Sequence, residues 1–186
     1  MNIFNRFIII VAAGLLFYGC TKETGNNGAL TIEDLLVKNN EITGWTYSGS
    51  GWVANNGSEL THHINGGAEL YIKYGFIEAA SQNYHGTINN ISCEIVLTVY
   101  NLGTNENVTA LFDDPDLGLT SALIWSDNPA GTVAKYIRYS GLSQVLCFYR
   151  DNYLVYLTMS FDTEESLSIL KQFGYNVDEK IIEVTS

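Results

Sequence analysis

The chain has 186 residues, of which 46% are apolar, 12% aromatic and 16% charged, the composition of one packed globular domain and not of a disordered chain. Twenty acidic residues against nine basic ones give a net charge of −11 at pH 7. That balance argues against nucleic acid as a partner, because such binding rests on Lys and Arg neutralising phosphates, and against a polybasic grip on anionic lipid.

Residues 1–19 read as an export signal. Arg6 supplies the positive start, residues 7–18 form an apolar run, and Gly19-Cys20 follows. The run is too short to span a bilayer, which needs about 20 apolar residues in a helix. Leu16-Phe17-Tyr18-Gly19-Cys20 resembles a lipobox, although Phe17 and Tyr18 stand where Leu and a small residue are usual. The reading is a lipoprotein whose Cys20 is acylated and becomes the mature N-terminus, anchored in a membrane of the cell envelope. Acyl chains such as palmitate on one cysteine supply the two signals that stable anchoring requires. Residues 20–28 then form a flexible polar tether, and residues 29–186 a single domain.

Along that domain, Thr31 caps a short helix carrying Glu33 and Asp34 in its first turn. Residues 44–57 are glycine-rich and read as a loop, folded back on the body by Trp45 and Trp52. Ser58 is taken as the cap of a helix over residues 59–74. Its inner face carries Leu60, Ile64, Gly67, Ala68, Tyr71 and Tyr74 at spacings of three and four, and Gly75 stops it. Gly66 and Gly67 inside a helix each cost about 1 kcal/mol relative to Ala. Close approach of another backbone to Gly67 is the expected compensation.

After Gly75 the period changes to two. Residues 76–84 are a weak strand, and 91–100 a strong one with Ile91, Cys93, Ile95, Leu97 and Val99 on one side. Residues 105–113 suggest a short helix, ended by Asp113-Asp114-Pro115-Asp116, and 134–139 a strand. Residues 142–149 and 153–161 form a hairpin. Thr163 caps a last helix lined by Leu167, Leu170 and Phe173, with Gly174 as its stop. Hairpin-linked strands between terminal helices predict an α+β fold, an antiparallel β-sheet with flanking helices.

The candidate chemical groups are His62, His63, Glu69 and His85. A helical metal pair needs histidines four apart, whereas adjacent His62 and His63 point about 100° apart. His62 and Glu69 share a helix face, but two ligands do not make a site, so no metal and no cofactor is expected. Gly66-Gly67 neither follows a strand nor precedes Lys-Ser/Thr, which argues against a phosphate loop. There is no Gly-x-Ser-x-Gly. Residues 113–118 echo a calcium loop without its span or its terminal Glu. Cys93 and Cys147 could pair in an exported chain, but their strand patterns favour two buried free thiols. The many tyrosines are enough to line a sugar- or peptide-binding groove, and tyrosine is also common in ordinary antiparallel sheets.

Gly44-Trp45, Leu60, Ile64-Asn65-Gly66-Gly67-Ala68-Glu69-Leu70-Tyr71 and Tyr74-Gly75-Phe76 together resemble a family of uncharacterised bacterial exported proteins and lipoproteins. That family, a domain of unknown function, is built around a Gly-Trp and an Ile-Asn/Asp-Gly-Gly-Ala-Glu-x-Tyr helix, and the resemblance covers residues 30–180. It departs at Ala110-Leu111-Phe112, where relatives carry Ala-Phe-Gly. The resemblance implies no activity; it marks Trp45, Asn65, Gly66, Gly67, Ala68, Glu69 and Tyr71 as a structural motif. Two functional expectations follow. One is a non-catalytic binding module acting on an envelope protein or glycan. The other is an envelope hydrolase using His62, His63, Glu69 or His85 as acid or base.

Overall fold

A computed structural model describes residues 30–186; the export signal, Cys20 and the tether lie outside the described residues. The fold is α+β. One open, wholly antiparallel sheet contains β1 (Thr46–Tyr47), β2 (Trp52–Ala54), β3 (Glu78–Ile88), β4 (Ile91–Asn101), β5 (Leu123–Ile124), β6 (Val133–Tyr139), β7 (Ser143–Arg150) and β8 (Tyr153–Met159). The strand order is β1-β3-β4-β8-β7-β6-β5, with β2 pairing with β3 alongside β1. Two tight hairpins build most of it. Asn89 and Asn90, with φ of 51° and 65°, turn β3 into β4, and Asp151 at φ 51° turns β7 into β8. Asparagine and aspartate tolerate this left-handed region better than most residues, and it matches the twist of the flanking strands.

Strand alternation gives the sheet two buried faces. Ile95, Leu97, Val99, Leu146, Phe148, Val155 and Leu157 point to one face. It is covered by α4 (Glu164–Thr185) and by a 3-10 turn, Ile32–Leu35. Tyr100, Val145, Cys147, Tyr149 and Leu154 point to the other, under α1 (Gly57–Ile64), α2 (Ala68–Lys73) and α3 (Asn105–Phe112). Cys93 and Cys147 are buried free thiols on opposite faces, so the sheet itself keeps them from pairing.

The α4 face is sealed. Thr163 caps the helix by accepting from the Ser166 amide at 3.1 Å. Leu167, Leu170, Phe173, Val177 and Ile181 are all buried at helical spacing. Phe173 meets Trp45 and Tyr84 edge-on, with ring centroids 5.7 and 4.9 Å apart. Arg150 makes a two-pronged ion pair with Asp178, its Nη2 2.9 Å from Oδ2. Lys180 donates to the Leu36 carbonyl at 2.8 Å and to Glu41 at 2.7 Å, joining α4 to the start of the domain.

Three expectations need correcting here. Gly174 does not end the last helix, which runs on to Thr185; it is buried mid-helix, where an added Cβ would lie 3.3 Å from Leu146. Residues 44–57 are not only loop, because β1 and β2 pair with β3 there. The helix expected over 59–74 is two helices. Asn65 breaks it with φ 51°, ψ −134°, and Asn56, not Ser58, caps it by accepting from the Glu59 amide.

Candidate functional site

The broken helix positions one wall of an open groove. The Asn56 side chain accepts from the Glu59 amide, and the Glu59 carboxylate accepts from the Asn55 amide at 2.7 Å and from Asn56 Nδ2 at 2.6 Å. These bonds hold Glu59 below the usual carboxylate range. Leu60 is buried beneath α1. At Asn65 the backbone leaves the helical region for one that non-glycine residues rarely occupy. A single 3-10 turn, Asn65–Gly67, re-aims the chain before α2 begins. Ala68 and Tyr71 then face the sheet, and Gly75 at φ 78° ends the segment.

The opposite wall is the turn Pro115–Leu117, which follows α3. Asp114 caps it by accepting from the Asp116 amide at 2.8 Å, and Gly118 closes it at φ 80°. The two walls are tied at one end. Tyr74 donates to Asp114 Oδ2 at 2.6 Å, and Lys73 Nζ lies 3.1 Å from the same oxygen. The Tyr74 hydroxyl first, then the Asp116 amide and Lys73, hold the Asp114 carboxyl down at about 2.

Between the walls α2 and the sheet together supply a tyrosine floor, Tyr71 from the helix and Tyr100 and Tyr156 from β4 and β8. Tyr71 stacks on Tyr100 with centroids 4.1 Å apart and planes 16° from parallel. Burial pushes the Tyr71 phenol well up and those of Tyr100 and Tyr156 to about 12, so all three stay protonated in the physiological range. An inner space of ≈ 330 Å³ is bounded by Ile64, Gly67, Leu70, Tyr71, Tyr100, Asp116, Leu117 and Tyr156. An outer one of ≈ 560 Å³ shares Gly67, Leu70 and Asp116 with it and adds Gly66, Glu69 and Lys73. Both open to solvent. The lining offers rings, aliphatic side chains and the two carboxylates of Glu69 and Asp116. Such a surface can cover the flat or apolar face of a ligand while the rim addresses its polar groups.

The expected motif divides between the two faces of the sheet. Trp45 is buried on the α4 face, where its ring lies over Gly86, and Ala68 and Tyr71 are buried on the other. Asn65, Gly66, Gly67 and Glu69 are exposed. Gly67 is therefore no close-contact position: a Cβ there would meet only Ile64, at 4.0 Å, and one at Gly66 would meet nothing. Glu69 stands exposed at the groove mouth.

The histidines do not converge with it. His62 and His63 are exposed on α1, before the break that destroys the helix face His62 was expected to share with Glu69. His63 stacks on Trp52 at 4.6 Å. His85 lies on β3 between Thr46 and Glu94, four residues beyond the partner of Trp52, or about 13 Å along the strand. Among the described residues no group of three or more His, Cys, Asp or Glu could hold a metal ion, and no helix is long and apolar enough to cross a membrane.

Leu70 was not anticipated as a groove residue, Tyr100 and Tyr156 only as members of the tyrosine surplus, and Asp116 and Leu117 only as part of the calcium-loop echo. They come from β4, β8, the post-α3 turn and α2, and no local pattern links them. The one sequence signal for a groove was the tyrosine surplus. No protein-family model matches the chain, and no curated protein or solved structure matches it either.

Proposed function

We propose that the chain is a lipoprotein of the cell envelope, anchored by acylated Cys20, whose domain is a non-catalytic binding module with the groove under the Asn65–Gly67 turn as its binding surface. The lipobox-like Leu16-Phe17-Tyr18-Gly19-Cys20 supports the anchor. The observation that carries the binding role is the groove itself. Beside the break in the helix, almost wholly buried Tyr71 and Tyr100 and half-buried Tyr156 line an open space. The resemblance of the Gly-Gly-Ala-Glu-x-Tyr segment to exported lipoproteins supports the same setting. An envelope hydrolase would need an acid or base from His62, His63, Glu69 or His85 beside a partner group, and the separation of those residues favours the binding reading.

Two measurements test this. A fatty-acid analogue should label the wild type and not Cys20→Ala; equal labelling would remove the anchor from the proposal. The full chain should retrieve an envelope component that Leu70→Asp, which puts a charge on the groove wall, no longer retrieves. Equal recovery by both proteins would move the binding surface elsewhere.

A further inference from the structure

We propose that the groove takes a basic, extended peptide segment, seating an arginine or lysine side chain between Glu69 and Asp116 with its alkyl stem along Leu70 and Tyr156. The inference rests on the groove being the binding surface and adds the class of ligand.

Charge decides it. Among the described residues every basic side chain is already engaged. Lys38, Lys73, Lys135, Arg138, Arg150 and Lys180 sit in ion pairs. Lys171 lies over the Trp125 ring at 4.6 Å. In the groove the only cation, Lys73, is held by Asp114 at 3.1 Å, so that pair is neutral. Glu69 and Asp116 are thus left without a basic partner on opposite sides of the opening, in a chain whose net charge is −11. A neutral sugar could use the tyrosine floor and donate its hydroxyls to the two carboxylates, but it would leave their charge uncompensated. A guanidinium or ammonium on an apolar stem uses both, since its head pairs with the rim and its methylenes cover rings and leucine. Gly66 and Gly67 add no side chain to the lip, and an added Cβ at Gly66 would have nothing within 4 Å, so a ligand backbone can lie across it.

The test uses the full chain in detergent, with the Gly66 and Gly67 amides followed by nitrogen-15 NMR. The probes are an octapeptide of alternating arginine and alanine, the same peptide with citrulline in place of arginine, and a neutral chitin tetrasaccharide. The arginine peptide should shift both glycine amides. Its affinity should fall roughly ten-fold with citrulline, with added salt, or in the Glu69→Gln/Asp116→Asn double variant, which is isosteric and exposed and so leaves the fold intact. Equal affinity for the citrulline peptide, or for the double variant, would overturn the inference, as would no binding of the arginine peptide. A shift of these amides by the sugar alone overturns the basic-peptide inference and leaves the groove as binding surface. Binding of the peptide with both amides unmoved overturns both.

Discussion

The two faces of the sheet solve the same burial problem in different ways. One is closed by an uninterrupted helix and the turn Ile32–Leu35, with Phe173 wedged between Trp45 and Tyr84 and Gly174 pressed on Leu146. The other is covered by three short helices and a turn, and the stacked pair Tyr71–Tyr100 opens onto a groove. Close packing is what makes a core intolerant of change. The comparison therefore assigns the larger core to the α4 face and, on the opposite face, confines the freedom to vary contacts to the groove.

The sharpest way to break that assignment is Phe173→Ala. The ring is fully buried, and its loss should cost about 3–5 kcal/mol, measured by urea unfolding of the domain. A cost near that of a surface change would mean that the α4 face does not carry the fold. Next in size is Gly86→Ala. Its new Cβ would fall 2.6 Å from the Trp45 ring, so the indole must move, at about 1–3 kcal/mol and with altered near-ultraviolet dichroism.

Asp114→Asn probes the groove side through pH. The folded-state carboxyl sits near 2, below its ordinary value of about 3.9, so it adds stability that is present above pH 4 and lost as pH falls from 4 toward 2. Wild type should lose stability across that window more steeply than Asp114→Asn; parallel curves would mean that the Tyr74 and Lys73 contacts do not hold the two walls. The smallest effect is expected at Gly67→Ala. With φ −64°, ψ −21° and open space at the Cβ position, the change should stabilise by about 0.4–1 kcal/mol. A loss of several kcal/mol would restore Gly67 to the packed interior and erase the contrast.

These glycines also show what could be read in advance. Alternation made β4 legible, because its first half presents one buried face with period two, whereas β7, buried on both faces, and β8 were legible as apolar runs joined by a short turn. The Thr163 cap announced α4 correctly. What failed was the meaning of glycine. Gly75 is used for its positive φ, Gly174 for its missing Cβ inside a helix, and Gly66 and Gly67 for neither. A sequence writes all three uses with one letter. Asn65-Gly66-Gly67 is a run of helix breakers, and that signal was outweighed by the helical spacing on either side. β1, β2 and β5, two or three residues each, exist only because a longer neighbour pairs with them. The groove was beyond reach for a similar reason. Leu70, Tyr100, Leu117 and Tyr156 become neighbours only once the whole sheet and its helices are assembled.

The strand order has a kinetic consequence. β4 pairs with β8, not with β5, so β8 is the seam between a half-sheet of β1–β4 and another of β5–β7. On a ribosome the first half is complete as a hairpin long before its inner neighbour exists. Until Met159 has emerged the halves share no strand, and until Thr185 has emerged the face beneath Phe173 has no roof. Final assembly must therefore wait for nearly the whole chain. Contacts as distant in sequence as Lys180 to Leu36 close last, and each such contact adds to the loop entropy that slows folding. Such a delay keeps the chain in a state that can still be threaded through a narrow passage.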